Sequence, residues 1–100
     1  MAAEYPEISG FDWDDGNREK NLKHDVHGWE CEQTFFNKPL VILDDTKHSV
    51  AESRYAAFGQ TDAGRRLVIV HTMRKGLVRV ISARDMNKRE RKFYENADQD

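Results

Sequence analysis

An α+β fold, with an antiparallel meander sheet of about four strands, short N-terminal helices and a C-terminal helix, is predicted by three features of the sequence. The three runs "RYAAFGQ", "RRLVIVHT" and "LVRVISAR" are separated by "TDAG" and "MRKG", four residues each and ending in glycine. Connections that short build hairpins, since a parallel crossover needs a dozen residues or more. Polar, helix-tolerant segments precede these runs and a strongly basic one follows them. The 100 residues suffice for one core, so the expected organisation is a flexible leader over 1–10, a single domain over 11–97 and a tail over 98–100.

Taken in order, "FDWDD" alternates Phe11 and Trp13 against Asp12 and Asp14, the period-2 pattern of a short edge strand. Residues 17–26 are polar, with Leu22 and Val26 four apart, and read as a first short helix. After the breaker Gly28, "WECEQTFFN" sets Trp29, Gln33 and Phe36 on one helical stripe, a second short helix that Pro39 ends. "LVILDD" is a β-branched run of strand length, and "TKHSVAES" a polar loop before the three hairpin strands. Asp85 reads as the N-cap of a closing helix whose one face carries Met86, Phe93, Tyr94 and Ala97. Glu90 falls on that face too, where a carboxylate needs a partner, and an arginine of the sheet is the expected one.

Composition narrows the functional classes. Charged residues make up 34% of the chain and mean hydropathy is −0.86, which predicts a soluble protein. Cys31 is the only cysteine, so an intramolecular disulfide and a thiolate zinc cluster are excluded, which suits the cytoplasm. "MAAEYPEISG" lacks the basic and apolar regions of a signal peptide, and no run of apolar residues is long enough to span a bilayer. The net charge of −2 conceals a partition: residues 64–92 hold 10 Lys/Arg against 2 Asp/Glu, a block of +8. Such a block is the footprint of a polyanion or of an acidic protein partner.

Within that block, Arg79 is flanked by apolar residues on a strand and Arg84 follows Ala83 at the end of the same run, where a guanidinium calls for a carboxylate or a phosphate. Strict alternation puts them on opposite faces; they serve one site only if the strand ends or bulges near Ser82 and Ala83. Lys88, Arg89, Arg91 and Lys92 on the closing helix are phosphate contacts or a solvated face. "NLKHDVHGW" offers Lys23 to hold a phosphate and His24 or His27 as acid or base, with too few neighbouring ligands for zinc. "HSVAESRY" offers Glu52 as a base or as the orienting partner of an arginine, and Arg54 for phosphate. Ser49 lacks the G-x-S-x-G elbow of a hydrolase. The acidic pairs in "DWDD" and "LDD" are explained by a solvated edge and a turn rather than by metal binding.

The order "FDWD", "KNLKH", "FFNKPLVILDD", "HSVAESRYAAFGQTDAGRRL" and "VRVISARDMNKRERKFYE" resembles the BrnT family of type II toxins, over residues 11–95. Its most specific piece is "RVISAR" followed by "KRERKFYE". The family usually has glycine after the lysine-histidine pair, where this chain has Asp25. The resemblance implies a RelE-like fold and an RNA-cleaving toxin that arrests translation. It further implies neutralisation by a BrnA-like antitoxin in a heterotetramer, with operator DNA bound only through that antitoxin. Carried over position by position, the pattern marks Lys23, His24, Glu52, Arg54, Arg79, Arg84 and Glu90. The chemistry then expected needs no metal or cofactor: Arg79 and Arg84 stabilise the phosphorane, His24 and Glu52 share acid and base roles, and Lys23, Arg54, Lys88 and Arg91 bind the substrate. A rival reading is a non-catalytic basic module that serves as co-repressor partner of a DNA-binding antitoxin.

Overall fold

The structure, a computed structural model, describes residues 7–22, 24–45 and 53–97, and of residues 19–22 only the backbone. Eight elements follow one another: β1 (Gly10–Phe11), α1 (Asp15–Leu22), α2 (Gly28–Phe36), β2 (Val41–Asp44), β3 (Tyr55–Gln60), β4 (Arg66–Arg74), β5 (Leu77–Asp85) and α3 (Lys88–Ala97). They form one five-stranded sheet in the order β1-β5-β4-β3-β2. The α+β class and the antiparallel meander β2-β3-β4-β5 are as the glycine-bearing connections predict. The edge strand expected at "FDWDD" is present but shorter and earlier, and the difference is its direction: β1 runs parallel to β5, pairing Gly10 with Leu77 and Phe11 with Val78. So short a strand is carried by its neighbours, with Ser9 N–H donating to the Gly76 carbonyl and Asp12 N–H to that of Val78.

Local chemistry sets the ends of the elements. "MRKG" closes more tightly than its length suggests, because Met73 and Arg74 stay in β4 and only Lys75 and Gly76 turn, at φ of 54° and 81°. Two central residues at positive φ are the twist-matched hairpin turn. Helix α1 stops at Leu22, short of Val26. Asp25 then turns the chain at φ 63°, in the left-handed region that glycine, asparagine and aspartate tolerate best. The cap of α3 is Asn87 rather than Asp85: Asn87 Oδ1 accepts from Glu90 N–H, and Glu90 Oε1 from Asn87 N–H. Asp85 remains the last residue of β5.

The sheet has two differently covered faces. On the first, Val26, Cys31 and Phe35 pack with Ala57, Leu67, Ile69, Val78, Val80 and Ala83. Helix α2 lies so close to β3 that a Cβ on Gly59 would stand 2.7 Å from Thr34 Cγ2. The stripe Trp29, Gln33, Phe36 faces outward instead, leaving Trp29 59% and Phe36 72% exposed. The buried stripe of α2 is Glu30, Cys31, Thr34 and Phe35. On the second face Phe58 and Val68 pack with Met86 and Tyr94, so α3 covers one end of the sheet. No helix among the described residues is long and apolar enough to cross a membrane.

Candidate functional site

The register of β5 decides which side chains share a face. Val70 pairs with Ser82, but its neighbour His71 pairs with Val80, so Ile81 has no partner across β4. One extra residue reverses the alternation beyond it. Val78 and Val80 therefore point into the first core, and so does Ala83, three residues further on rather than two. The same reversal brings Arg79, Ser82 and Arg84 together on the second face, opposite Thr72, Val70 and Val68. The partners of the two arginines, Thr72 and Val68, are four positions apart on β4, placing the arginine Cα atoms about 13 Å apart at ~3.3 Å per residue.

Arg79 is held by carboxylates of the segment that leads into α1, and Arg84 by one carboxylate of α3. Arg79 Nη2 donates to Asp14 Oδ2 at 2.6 Å, with Asp12 at 3.6 Å. Asp14 also caps α1, its Oδ1 accepting from Asn17 N–H while Asn17 Oδ1 accepts from Asp14 N–H. The Asn17 N–H, followed by the Arg79 guanidinium, holds the Asp14 carboxyl below its ordinary range. Arg84 makes a bidentate pair with Glu90, at 2.7 and 2.8 Å, and donates to the Asp85 carbonyl. Arg84 and then the capping N–H of Asn87 lower the Glu90 carboxyl likewise. A guanidinium has five N–H donors, so both arginines retain some for a phosphate.

Other candidate residues lie as follows. His24 is exposed in the turn after α1. Arg54 immediately precedes β3, and its carbonyl accepts from Asp45 N–H. Arg91 turns back onto the Met86 carbonyl at 2.8 Å, while Lys88, Arg89 and Lys92 are exposed along α3. Lys23 and Glu52, with His48 and Ser49, lie outside the described residues. Among the described residues no three His, Cys, Asp or Glu side chains are grouped as metal ligands.

Sequence reasoning missed Arg65. Its Nε and Nη2 bind both oxygens of Asp85, at 2.7 and 3.1 Å, and its Nη1 donates to the Asp25 carbonyl at 2.8 Å and to Glu30 at 3.1 Å. One guanidinium thus ties the His24–Asp25 turn and the first turn of α2 to the end of β5, next to Arg84. Asp85, with Glu30 adding to it, holds the Arg65 charge above its ordinary pKa, and Arg65 in turn lowers Asp85. The signal was present in "GRRL": of two adjacent arginines at a strand start, one must face each side of the sheet. Arg66 takes the other side, over the Tyr94 ring at 5.7 Å and paired with Glu95.

Against this geometry, one family profile matches residues 13–90, that described as "Ribonuclease toxin, BrnT, of type II toxin-antitoxin system". The match spans both arginines, the bulge between them and Glu90. No curated protein matches the chain.

Proposed function

Since the chain belongs to the BrnT family of ribonuclease toxins of type II toxin-antitoxin systems, we propose that it cleaves RNA without a metal ion, at the second face of the sheet. The observation that carries this reading is the bulge at Ile81, which gathers Arg79, Ser82 and Arg84 on one face. In the reaction the ribose 2′-oxygen attacks the adjacent phosphorus and loses its proton to Glu52 or His24. The bond from phosphorus to the 5′-oxygen breaks, and His24 or Lys23 protonates the leaving oxygen, giving a 2′,3′-cyclic phosphate and a 5′-hydroxyl. Arg79 and Arg84 stabilise the charge that builds on the phosphorane, with Arg54, Lys88 and Arg91 on flanking phosphates. Glu90 keeps Arg84 extended over the sheet. The Arg65 ties bring the turn bearing His24 to the end of β5 from the α2 side of the sheet, the side opposite the Arg84 side chain.

In the cell this activity arrests translation in the cytoplasm, and a BrnA-like antitoxin neutralises it by covering the basic face. Induction of the chain alone, beside an Arg79→Ala, Arg84→Ala chain at equal expression, tests the reading. Growth arrest with new RNA ends carrying cyclic phosphate, in the first culture only, is the expected result; arrest by both chains would refute the arginine assignment. A second reading, the non-catalytic co-repressor module, draws on the ion pairs that already engage both guanidiniums. Arrest by neither chain, with intact operator repression alongside the antitoxin, would favour it.

A further inference from the structure

Both tryptophans of the chain line one cleft of about 300 Å³ outside the arginine face, together with Arg18, His27, Gly28 and Glu32. The rings of His27 and Trp29 stack nearly parallel, 8° apart with centroids at 5.7 Å, in an exposed position that the core does not require. Trp13 is fixed by its indole N–H, which donates to Glu32 Oε2 at 2.8 Å. Beside it, position 28 has no side chain: a Cβ there would touch the benzo ring of Trp13 at 3.4 Å, so glycine leaves that ring open to the cleft.

We propose that this cleft binds one base of a single-stranded RNA, stacked against the tryptophan rings. The identification of the ligand as RNA rests on the ribonuclease reading; the recognition of a flat ring does not. Exposed aromatic side chains are the platforms on which unpaired bases stack, whatever their sequence. A foreign cation is the less suited occupant, because Arg18 already lies 6.0 Å from the Trp13 centroid. Glu32 uses one oxygen on Trp13, and its other oxygen can accept an amino or imino hydrogen from a base. Trp13 lies between Asp12 and Asp14, the two residues that hold Arg79, but packs toward the first core, so an RNA strand bound at Arg79 enters the cleft by passing around the β1 edge of the sheet.

Tryptophan fluorescence reads this cleft alone. The full chain is titrated with a short single-stranded oligonucleotide bearing 2′-O-methyl riboses, which has no free 2′-hydroxyl to react. Saturable quenching is expected, with affinity reduced roughly 10-fold or more, the loss of one stacked base, in Trp29→Ala and Gly28→Leu chains. Trp29 is largely exposed, so its replacement probes the cleft even where Gly28→Leu disturbs folding; far-UV circular dichroism checks both. Absent quenching, or quenching that neither substitution weakens, overturns the proposal. Equal quenching by AMP would assign the cleft to a mononucleotide, and equal quenching by inorganic polyphosphate to charge alone; either overturns it. Cleavage of RNA by a chain whose tryptophans never respond refutes the cleft and spares the ribonuclease reading. Quenching in a chain that cleaves nothing does the reverse.

Discussion

On one face of the sheet Leu67, Ile69, Val78, Val80 and Ala83 are fully enclosed by apolar neighbours, and the one polar ring among them, His71, is buried. On the other face the same two strands present Val70, Ser82, Arg79 and Arg84, with both guanidiniums held by carboxylates near solvent. Burial of apolar surface stabilises the first face, whereas exposed ion pairs contribute little to stability and mainly fix where charge stands. Stability and chemistry are thereby separated by the thickness of one strand. Substitutions on the two faces should affect different measurements.

Ile69→Ala should give the largest loss. Removing a fully buried isoleucine side chain costs about 2–5 kcal/mol, read as a lower urea midpoint, and cleavage by the fraction still folded should be unchanged. A matching loss of specific activity in the folded protein would break the separation. Acid should come next. Burial pushes His71 down to about 4, from an ordinary 6.5, while its Nδ1–H donates to the Ile69 carbonyl. The unfolded chain therefore binds the extra proton first, and stability should fall as pH drops from about 6.5 to 4, by on the order of 3 kcal/mol at most. NMR titration showing the His71 ring protonated at pH 6 would contradict this.

The second face should respond in the opposite sense. Arg79→Ala or Arg84→Ala should each slow RNA cleavage by roughly 10²-fold or more, as loss of a transition-state donor does, with the urea midpoint nearly unmoved. A large stability loss with an undiminished rate per folded molecule would make these arginines structural. Smallest of all, Glu90→Gln should cost under about 1 kcal/mol, because Arg84 is 47% exposed. Its folded-state pKa is depressed, so the stability that Glu90 contributes is present above its unfolded value and disappears as pH falls through the lowered one. A Glu90→Gln chain with an unchanged urea midpoint but slower cleavage would sharpen the view that Glu90 positions Arg84.

The meander was legible because glycine-bearing four-residue gaps leave few other solutions. An edge strand at Phe11 was legible in "FDWDD", but its parallel pairing was not, because the direction of pairing depends on where β5 lies in space. The bulge was legible as a requirement of the two arginines, expected near Ser82 and Ala83; it falls at Ile81, where the adjacent apolar residues Val80 and Ile81 break the alternation of "RVISAR", and Val80 and Ala83 are both found in the same core. Helix α2 offered two apolar stripes. Phe35 with Cys31 won over Phe36 with Trp29 because small side chains let the helix approach Gly59 closely. The cap of α3 was misplaced by two residues because Asp85 and Asn87 are both good capping types, and Arg65 had already engaged Asp85.

Cys31 gives the molecule a clock. As the only thiol, wholly enclosed under α2 and pushed up to about 12 by burial, it is almost entirely unionised at neutral pH. Only the thiolate reacts with alkylating or disulfide reagents, so labelling must wait until α2 lifts from the sheet. The labelling rate then counts openings of the first core molecule by molecule, with no probe added. Bound to a partner that covers only the arginine face, the protein should keep the same rhythm of openings unless the two faces breathe together.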